Sequence, residues 1–228
     1  MDDNATCTAY PQCARCSIDP SRRLCLNANG RAPEFCPTRN CRTSIQEALA
    51  ELEKPGVFNF ACQAALQEQA GYSPAPKGGR WPVKTRLQET IEFAHRMHYQ
   101  RLGLVFCIGL RKEARAVESV LVNAGFEVVS GICKMGRTEK SILGLDGPQK
   151  SSGGSSSSMC NPIAQAFVLN KAETEFNIIM GLCVGHDALF IRYAEAMCTV
   201  LAAKDRVLGH NPLAAVYTLD SYYRGLKE

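Results

Sequence analysis

The sequence predicts an α/β fold, in which a small parallel sheet carries helices on both faces in a Rossmann-like, three-layer arrangement. Between residues 102 and 203, four short apolar runs alternate with segments of helical periodicity. Strands that read as almost continuous apolar runs, each followed by a helix, are typical of parallel sheets covered on both sides. The chain has 228 residues, of which 46% are hydrophobic, so it can bury a core of ordinary size.

Each element is predicted from local signals. The predicted strands are residues 102–107, 126–133, 176–183 and 198–203. The predicted helices are residues 44–53, 57–70, 84–100, 112–123, 164–172, 187–196 and 213–219. The first helix opens on a capping box of Ser44 and Glu47. Asn161 and Pro162 supply a favoured N-cap and first position for the helix that follows them. Three prolines and two glycines within residues 73–82 indicate a linker.

The chain is predicted to have three parts. Residues 1–43 form a cysteine-rich metal-binding arm, because this segment has no hydrophobic periodicity that could fold it. Residues 44–83 form a helical segment and linker, and residues 84–228 form the α/β domain with a cysteine-lined site. The low-complexity tract 151–158 is predicted to be a mobile loop.

Composition and charge narrow the class of protein. The 26 basic residues against 22 acidic ones give a mild charge of +4 that is not gathered into blocks, so no nucleic-acid partner is expected. The acidic start of the chain lacks the apolar region of a secretory signal, and no stretch is long and apolar enough to span a bilayer. We therefore expect a cytoplasmic protein without a membrane partner. Its 12 cysteines are then expected to be reduced and to serve metal binding or catalysis.

Four cysteines of the predicted α/β domain are expected to meet at one edge of the sheet. Cys107, Cys133 and Cys183 end predicted strands, and Cys160 directly precedes a helix start. The carboxyl ends of parallel strands share one edge, where open α/β sheets bind ligands. Thiolates are the usual ligands of iron–sulfur clusters, so these four cysteines predict such a cofactor, of the 4Fe–4S type.

Three further residues are candidates for proton transfer at the same edge. His186 starts a helix, Lys204 follows the last strand, and His210 precedes another helix start. Histidine titrates near neutral pH, which suits it to acid–base catalysis. These three residues are the predicted catalytic set.

The arm carries a second set of cysteines. Cys13 and Cys16 form a Cys-x-x-Cys knuckle, and Cys25 and Cys36 follow within about 20 residues. This pattern predicts a metal site that folds the segment, with zinc or a second iron–sulfur cluster as the alternatives. Two further cysteines, Cys7 and Cys41, are spare ligand candidates for this site. The last two, Cys62 and Cys198, are interpreted as structural.

Several motifs carry a resemblance to a known family. They are Phe106-Cys-Ile-Gly-Leu110, Gly125-Phe-Glu-Val-Val129, Cys160-Asn-Pro-Ile-Ala-Gln165, Gly181-Leu-Cys-Val-Gly-His-Asp187, Lys204-Asp-Arg-Val-Leu-Gly-His-Asn-Pro212 and Tyr222-Tyr223. Together they resemble domain-of-unknown-function family 1847, whose members are described as metal-binding proteins. The family's motif cysteines fall on Cys13, Cys16, Cys36, Cys107, Cys133, Cys160 and Cys183. The resemblance thus implies metal and cysteine chemistry without naming a reaction. The sequence departs from the family pattern at two places. The gaps around Cys25 are longer than in the family, and the serine tract before Cys160 resembles an insertion.

Three functional hypotheses follow from these residues. The first is an iron–sulfur protein that performs redox or lyase-type chemistry with a small-molecule substrate or an electron-transfer partner. The second is a non-enzymatic zinc-binding and partner-binding protein. The third is a thiol enzyme with Cys160 as its nucleophile. No dinucleotide-binding or P-loop motif is present in the sequence.

Overall fold

The computed structural model describes residues 7, 9–145 and 158–228. The chain divides into two compact units, Met1–Gln69 and Ala70–Glu228, which are treated separately below. The predicted three-part division of the chain stays a prediction. Nearly all of the serine tract, predicted as a mobile loop, lies outside the described residues. Among the residues that are described, no helix is long and apolar enough to cross a membrane.

The first unit is built from short helices after an irregular, turn-rich start. Its helices are α1 (Pro37–Asn40), α2 (Arg42–Leu52) and α3 (Pro55–Ala70). Only Cys41 separates α1 from α2, so the chain enters α2 directly and the helix begins two residues before the predicted cap. Ser44 therefore lies in the first turn of α2, and the predicted capping box is wrong.

A disulfide joins Cys7 to Cys41 in this unit. The expectation that all 12 cysteines are free thiols is therefore wrong for this pair. In the disulfide, neither cysteine has a thiolate that could bind a metal. The other ten cysteines are free. The bond links the start of the chain to the junction of α1 and α2, a proximity that sequence spacing alone does not reveal.

The second unit opens with a hairpin inside the predicted linker. Strands β1 (Tyr72–Pro74) and β2 (Arg80–Pro82) pair antiparallel. Two prolines stand at strand ends, where a missing N–H is tolerated. Gly78 and Gly79 both adopt positive φ, near +86° and +85°, and so make the tight turn between the strands. Turn residues thus serve a hairpin here rather than an open linker.

The main sheet has four parallel strands, as predicted. They are β3 (Arg101–Phe106), β4 (Glu127–Ile132), β5 (Phe176–Met180) and β6 (Met197–Ala202), in the spatial order β4-β3-β5-β6. The flanking helices are α4 (Arg86–Arg96), α5 (Arg111–Asn123), α6 (Pro162–Lys171), α7 (His186–Tyr193) and α8 (Leu213–Tyr217). Helix α5 packs against β3 and β4, while α6 packs against β4 and α7. The α/β class and the parallel sheet are confirmed.

The two central strands lie at the centre of the core. Every residue of β5 is buried, and Leu102, Leu104 and Val105 of β3 are fully buried. Gly103 allows close packing at the middle of β3, since a Cβ there would lie 2.0 Å from Oδ1 of Asn177. A core of this kind fixes the strand ends, and with them the loops that carry the site.

Strand order identifies where a ligand would bind. From β3 the chain moves outward to β4, and then returns to the opposite side of β3 to form β5. The direction of winding therefore reverses between β3 and β5. Open parallel sheets bind ligands outside the carboxyl ends of the strands at such a switch point.

Candidate functional site

The four predicted sheet-edge cysteines all lie at the carboxyl end of the sheet. Cys107 directly follows β3, and Cys133 directly follows β4. Cys183 comes three residues after β5, because Gly181 turns the chain with a φ of +62°. Cys160 precedes Asn161, the N-cap of α6, whose side chain accepts a hydrogen bond of 2.9 Å from the N–H of Ala164. The predicted cap is therefore present.

Three of these thiols form a contiguous group. Cys107 and Cys133 are buried, with exposed fractions of 8% and 3%, and Cys160 is half-buried. The Cys133 thiol hydrogen-bonds to Cys107 and lies 3.6 Å, sulfur to sulfur, from Cys160. The backbone N–H of Ile108 also donates to the Cys133 sulfur, at 3.3 Å. Three thiols from distant parts of the sequence thus lie side by side, with Cys133 between the other two.

The environment of Cys107 favours its thiolate. Burial opposes ionisation, but the backbone N–H of Gly109 and the ammonium of Lys204 outweigh it and lower the pKa of Cys107. A hydrogen bond from Cys133 acts in the same direction. A partly desolvated thiolate beside a fixed positive charge is the usual state of a reactive or metal-binding cysteine.

Cys133 has the opposite tendency. Burial, together with the neighbouring Cys160 and Cys107, raises the pKa of Cys133 to about 12, although the backbone N–H of Ile108 acts to lower it. Two thiolates in contact repel each other, so one proton stays in the group. Of these two neighbouring thiols, Cys107 is therefore the one that ionises more readily, and Cys133 is the one that retains its proton.

Cys183 is held by Arg206, which sequence reasoning did not select. The guanidinium Nη2 of Arg206 donates to the Cys183 sulfur at 3.0 Å. This contact, together with the charges of Cys183, Cys107 and Cys160, raises the pKa of Arg206 further above its ordinary value. Arg206 stands two residues after Lys204 in the segment that follows β6, and this position is the signal that could have identified it.

The three predicted catalytic residues have different surroundings. Lys204 hydrogen-bonds to the Cys107 thiolate. His186 is the first residue of α7 and lies half-buried. His210 adopts a positive φ of +66° and its Nδ1 accepts a hydrogen bond of 3.1 Å from the N–H of Asp205. Its ring therefore closes the loop after β6, and its role in proton transfer stays a prediction.

The four predicted arm cysteines also come together. They line one small cavity of about 70 Å³ in the first unit, in the company of Arg23, Pro33, Phe35, Pro37 and Thr38. Cys13 and Cys16 are joined by a tight turn, in which the N–H of Cys16 donates to the carbonyl of Cys13 at 3.1 Å. Arg23 fixes the next segment by donating to the carbonyls of Ile18 and Cys16 at 2.6 and 3.3 Å.

A ready-made metal site is not found at either place. Over residues 7, 9–145 and 158–228, no group of three or more Cys, His, Asp or Glu side chains is arranged to hold a metal ion. The Cys133 and Cys160 sulfurs do lie close enough to bind one ion together. Two thiolates that share one tetrahedral ion, with bonds of about 2.3 Å, lie roughly 3.8 Å apart. Their observed separation of 3.6 Å suits this arrangement.

The two cysteines read as structural differ from each other. Cys198 lies in β6, half-buried, and donates to the carbonyl of Ala196 at 3.4 Å. Burial raises the pKa of its thiol, which favours the inert protonated form. Cys62 is exposed on α3. Both lie outside the sheet-edge group and serve as matched controls for experiments on it.

Fold and site define a cysteine-rich α/β protein with thiols gathered at the carboxyl edge of a parallel sheet. The chain belongs to the family described as protein of unknown function DUF1847, whose sequence model matches residues 36–201. It is also similar to an uncharacterized protein of Methanocaldococcus jannaschii, with 36% identity over 213 residues, or 93% of this chain and 95% of the relative. No solved structure shows a significant match to it. The family match contains all four sheet-edge cysteines and ends before Lys204.

Proposed function

We propose that this protein binds an iron–sulfur cluster through Cys107, Cys133, Cys160 and Cys183 and uses it in redox or lyase-type chemistry on a small molecule. One observation carries the proposal: four thiols separated by more than 20 residues each along the chain lie on the same edge of the sheet, and Cys133 contacts both Cys107 and Cys160. Isolated structural cysteines have no reason to gather at the ligand-binding edge.

The surroundings of the thiols suit metal ligation. Thiolates are the ligand form, and the positive charges of Lys204 and Arg206 offset the negative charge that gathers as several of them ionise. Backbone N–H groups of Ile108 and Gly109 point at the sulfurs, and such donors tune the potential of sulfur-ligated metals. When bound, a cluster supplies electron transfer or an electrophilic iron. The protein's own groups then orient the substrate and hold protons, with His186, Lys204 and His210 as the candidates.

The finer description of the architecture belongs to the same proposal. We infer a Rossmann-like, three-layer arrangement. The reversal of winding between β3 and β5 supports it, because right-handed crossovers on either side of the reversal place their helices on opposite faces of the sheet. In the arm, Cys13, Cys16, Cys25 and Cys36 are proposed to bind zinc, supported by their shared cavity. Zinc would there replace the hydrophobic core that this segment lacks.

Anaerobic purification tests the cluster. We expect a brown protein that absorbs near 400 nm and contains iron and acid-labile sulfide. Cys133→Ser should abolish both signals, while the matched control Cys198→Ser, in the same sheet but away from the group, should retain them. A colourless protein without iron or sulfide after anaerobic reconstitution would refute the proposal. Zinc bound in stoichiometric amount, and unaffected by Cys107→Ser with Cys183→Ser, would favour the non-enzymatic zinc protein.

The arm site is tested by zinc content. Cys36→Ser should lose about one zinc per chain, and Cys62→Ser, which changes an exposed cysteine of the same unit, should lose none. Equal zinc in both variants would show that the arm cysteines bind no metal.

A thiol enzyme is the second candidate, and one observation favours it. The Gly109 N–H and Lys204 lower the pKa of the Cys107 thiol, which favours Cys107 as the nucleophile. The sequence had suggested Cys160 for this role. In metal-free protein, iodoacetamide should then label Cys107 faster than Cys133, after correction for exposure by comparison with the denatured chain. Equal corrected rates at pH 7 would exclude activation of Cys107.

A further inference from the structure

The second unit holds a cavity of about 440 Å³ beside the sheet-edge thiols. Cys160 and Cys183 line it, as do the first residues of α6 and α7, Pro162 and His186. Its volume is that of a typical small-molecule site. A ligand in this cavity would therefore lie next to two of the four thiols.

Among the 13 described residues that line the cavity, none is Asp or Glu. Three of them, Lys134, Lys140 and Arg206, carry a fixed positive charge, and His186 is a further basic residue. No carboxylate of the described residues forms an ion pair with these lysines or with the arginine. Nearby acidic side chains are engaged with their own loops, since Asp187 and Asp205 accept hydrogen bonds from backbone N–H groups.

The basic groups keep donors free for that ligand. Arg206 gives one of its five N–H donors to Cys183, and Lys134 gives one of three to the carbonyl of Ser158 at 2.6 Å. The remaining donors of a guanidinium match a carboxylate or a phosphoryl group in fork geometry. The N-terminal ends of α6 and α7 add positive potential at the same place.

Much of the remaining lining is apolar, namely Leu143, Leu145, Met159, Pro162, Ile163 and Leu189. The thiols of Cys160 and Cys183 and the amide of Asn161 complete it. An inorganic ion would leave this surface uncovered, whereas a ligand with a short hydrocarbon body would remove it from water.

We propose that the cavity binds a small organic anion. Its carboxylate or phosphoryl group contacts Arg206, and its hydrocarbon body contacts the apolar part of the lining. This inference names the substrate class of the proposed site and rests on the proposed function for the reaction. The binding itself rests on the cavity alone. The anion would lie against Cys183 and Cys160, at the point where a metal or thiolate could act on it.

Calorimetric titration of the full chain, purified anaerobically, tests the inference. Hexanoate and hexyl phosphate are the anionic probes, with hexanamide and hexylamine as neutral and cationic analogues of the same length. At least one anion should bind, and whichever binds more tightly identifies the head group. Arg206→Gln and Lys140→Gln should each weaken its binding about tenfold or more. The matched control Arg115→Gln, which changes an exposed arginine of α5, should leave it unchanged.

The outcomes separate this inference from the proposed function. Failure of both anions to bind, equal binding of hexanamide, preference for hexylamine, or equal weakening by Arg115→Gln would each overturn the anion site. Metal analysis of the same samples reports on the cluster. Anion binding by protein without iron or sulfide would refute the cluster and support the anion site. A bound cluster without anion binding would support the cluster and refute the anion site.

Discussion

Replacement of Asn161 by alanine tests how the fold supports the sheet-edge thiols. The Asn161 side chain accepts a hydrogen bond of 2.9 Å from the N–H of Ala164 and donates one of 3.0 Å to the hydroxyl of Thr138. The lost cap costs about 1 kcal/mol, and the lost side-chain hydrogen bond costs about 1 kcal/mol more. The backbone N–H of Asn161 keeps its bond of 2.8 Å to the Cys133 carbonyl, because alanine retains that group. We therefore expect Asn161→Ala to remain folded and to lose about 2 kcal/mol.

Urea denaturation followed by circular dichroism measures this loss. Asn161→Asp should recover about half of it, since a carboxylate still caps α6 but no longer donates as the amide did. Asn123→Ala, which changes an exposed residue at the end of α5, should alter the free energy of unfolding by less than about 0.5 kcal/mol. The reasoning is refuted if Asn161→Ala destabilises no more than Asn123→Ala, or if the aspartate variant is as unstable as the alanine variant.

Two further predictions concern charge and backbone shape. Lys204→Met removes the ammonium that stabilises the Cys107 thiolate, so the pKa of Cys107 should rise. The pH profile of Cys107 alkylation in metal-free protein should then move to higher pH. The control Lys171→Met, at the far end of α6, should leave that profile unchanged. Gly181→Ala should destabilise by about 2 kcal/mol or more in urea denaturation, because its φ is +62° and a Cβ would lie 2.3 Å from a buried leucine side chain. Gly125→Ala, with a φ of +95° but open space around the Cβ, should cost about half as much. Equal losses in the two glycine variants would show that the steric contact is unimportant.

The parallel sheet could be predicted from the sequence because its signal is local. Central strands such as β3 bury both faces and so appear in the sequence as almost unbroken apolar runs. Helix starts such as Asn161-Pro162 can be identified from their residue types. The carboxyl edge then follows from strand direction alone, which is why Cys107, Cys133 and Cys183 could be placed there in advance. Cys160 could be added to them from its position before a helix start. What the sequence leaves open is which of the grouped side chains touch.

Features that depend on tertiary contacts could not be predicted in the same way. The hairpin at Tyr72–Pro82 was hidden because proline and glycine signal a turn without showing that strands pair across it. The disulfide between Cys7 and Cys41 depends on where α1 and α2 meet, and spacing along the chain does not give that position. Arg206 was overlooked because a basic residue in a loop is usually solvated, and only the structure shows its contact with Cys183.

The unequal protonation of neighbouring thiols links the metal and thiol-enzyme proposals. Metal ligation needs thiolates, and Cys107 already favours that form, while Cys133, with a pKa of about 12, must release a proton as it binds. Affinity for a metal should therefore rise with pH, because ligation has to displace that proton. Without metal, the Cys133 thiol hydrogen-bonds to Cys107 and so stabilises the Cys107 thiolate when it forms. The charge of Lys204 serves both states, since it offsets the thiolate in one and the metal-ligating sulfur in the other. The buried thiols at this edge are therefore suited to chemistry in either form, and the metal content of the purified protein decides which form operates.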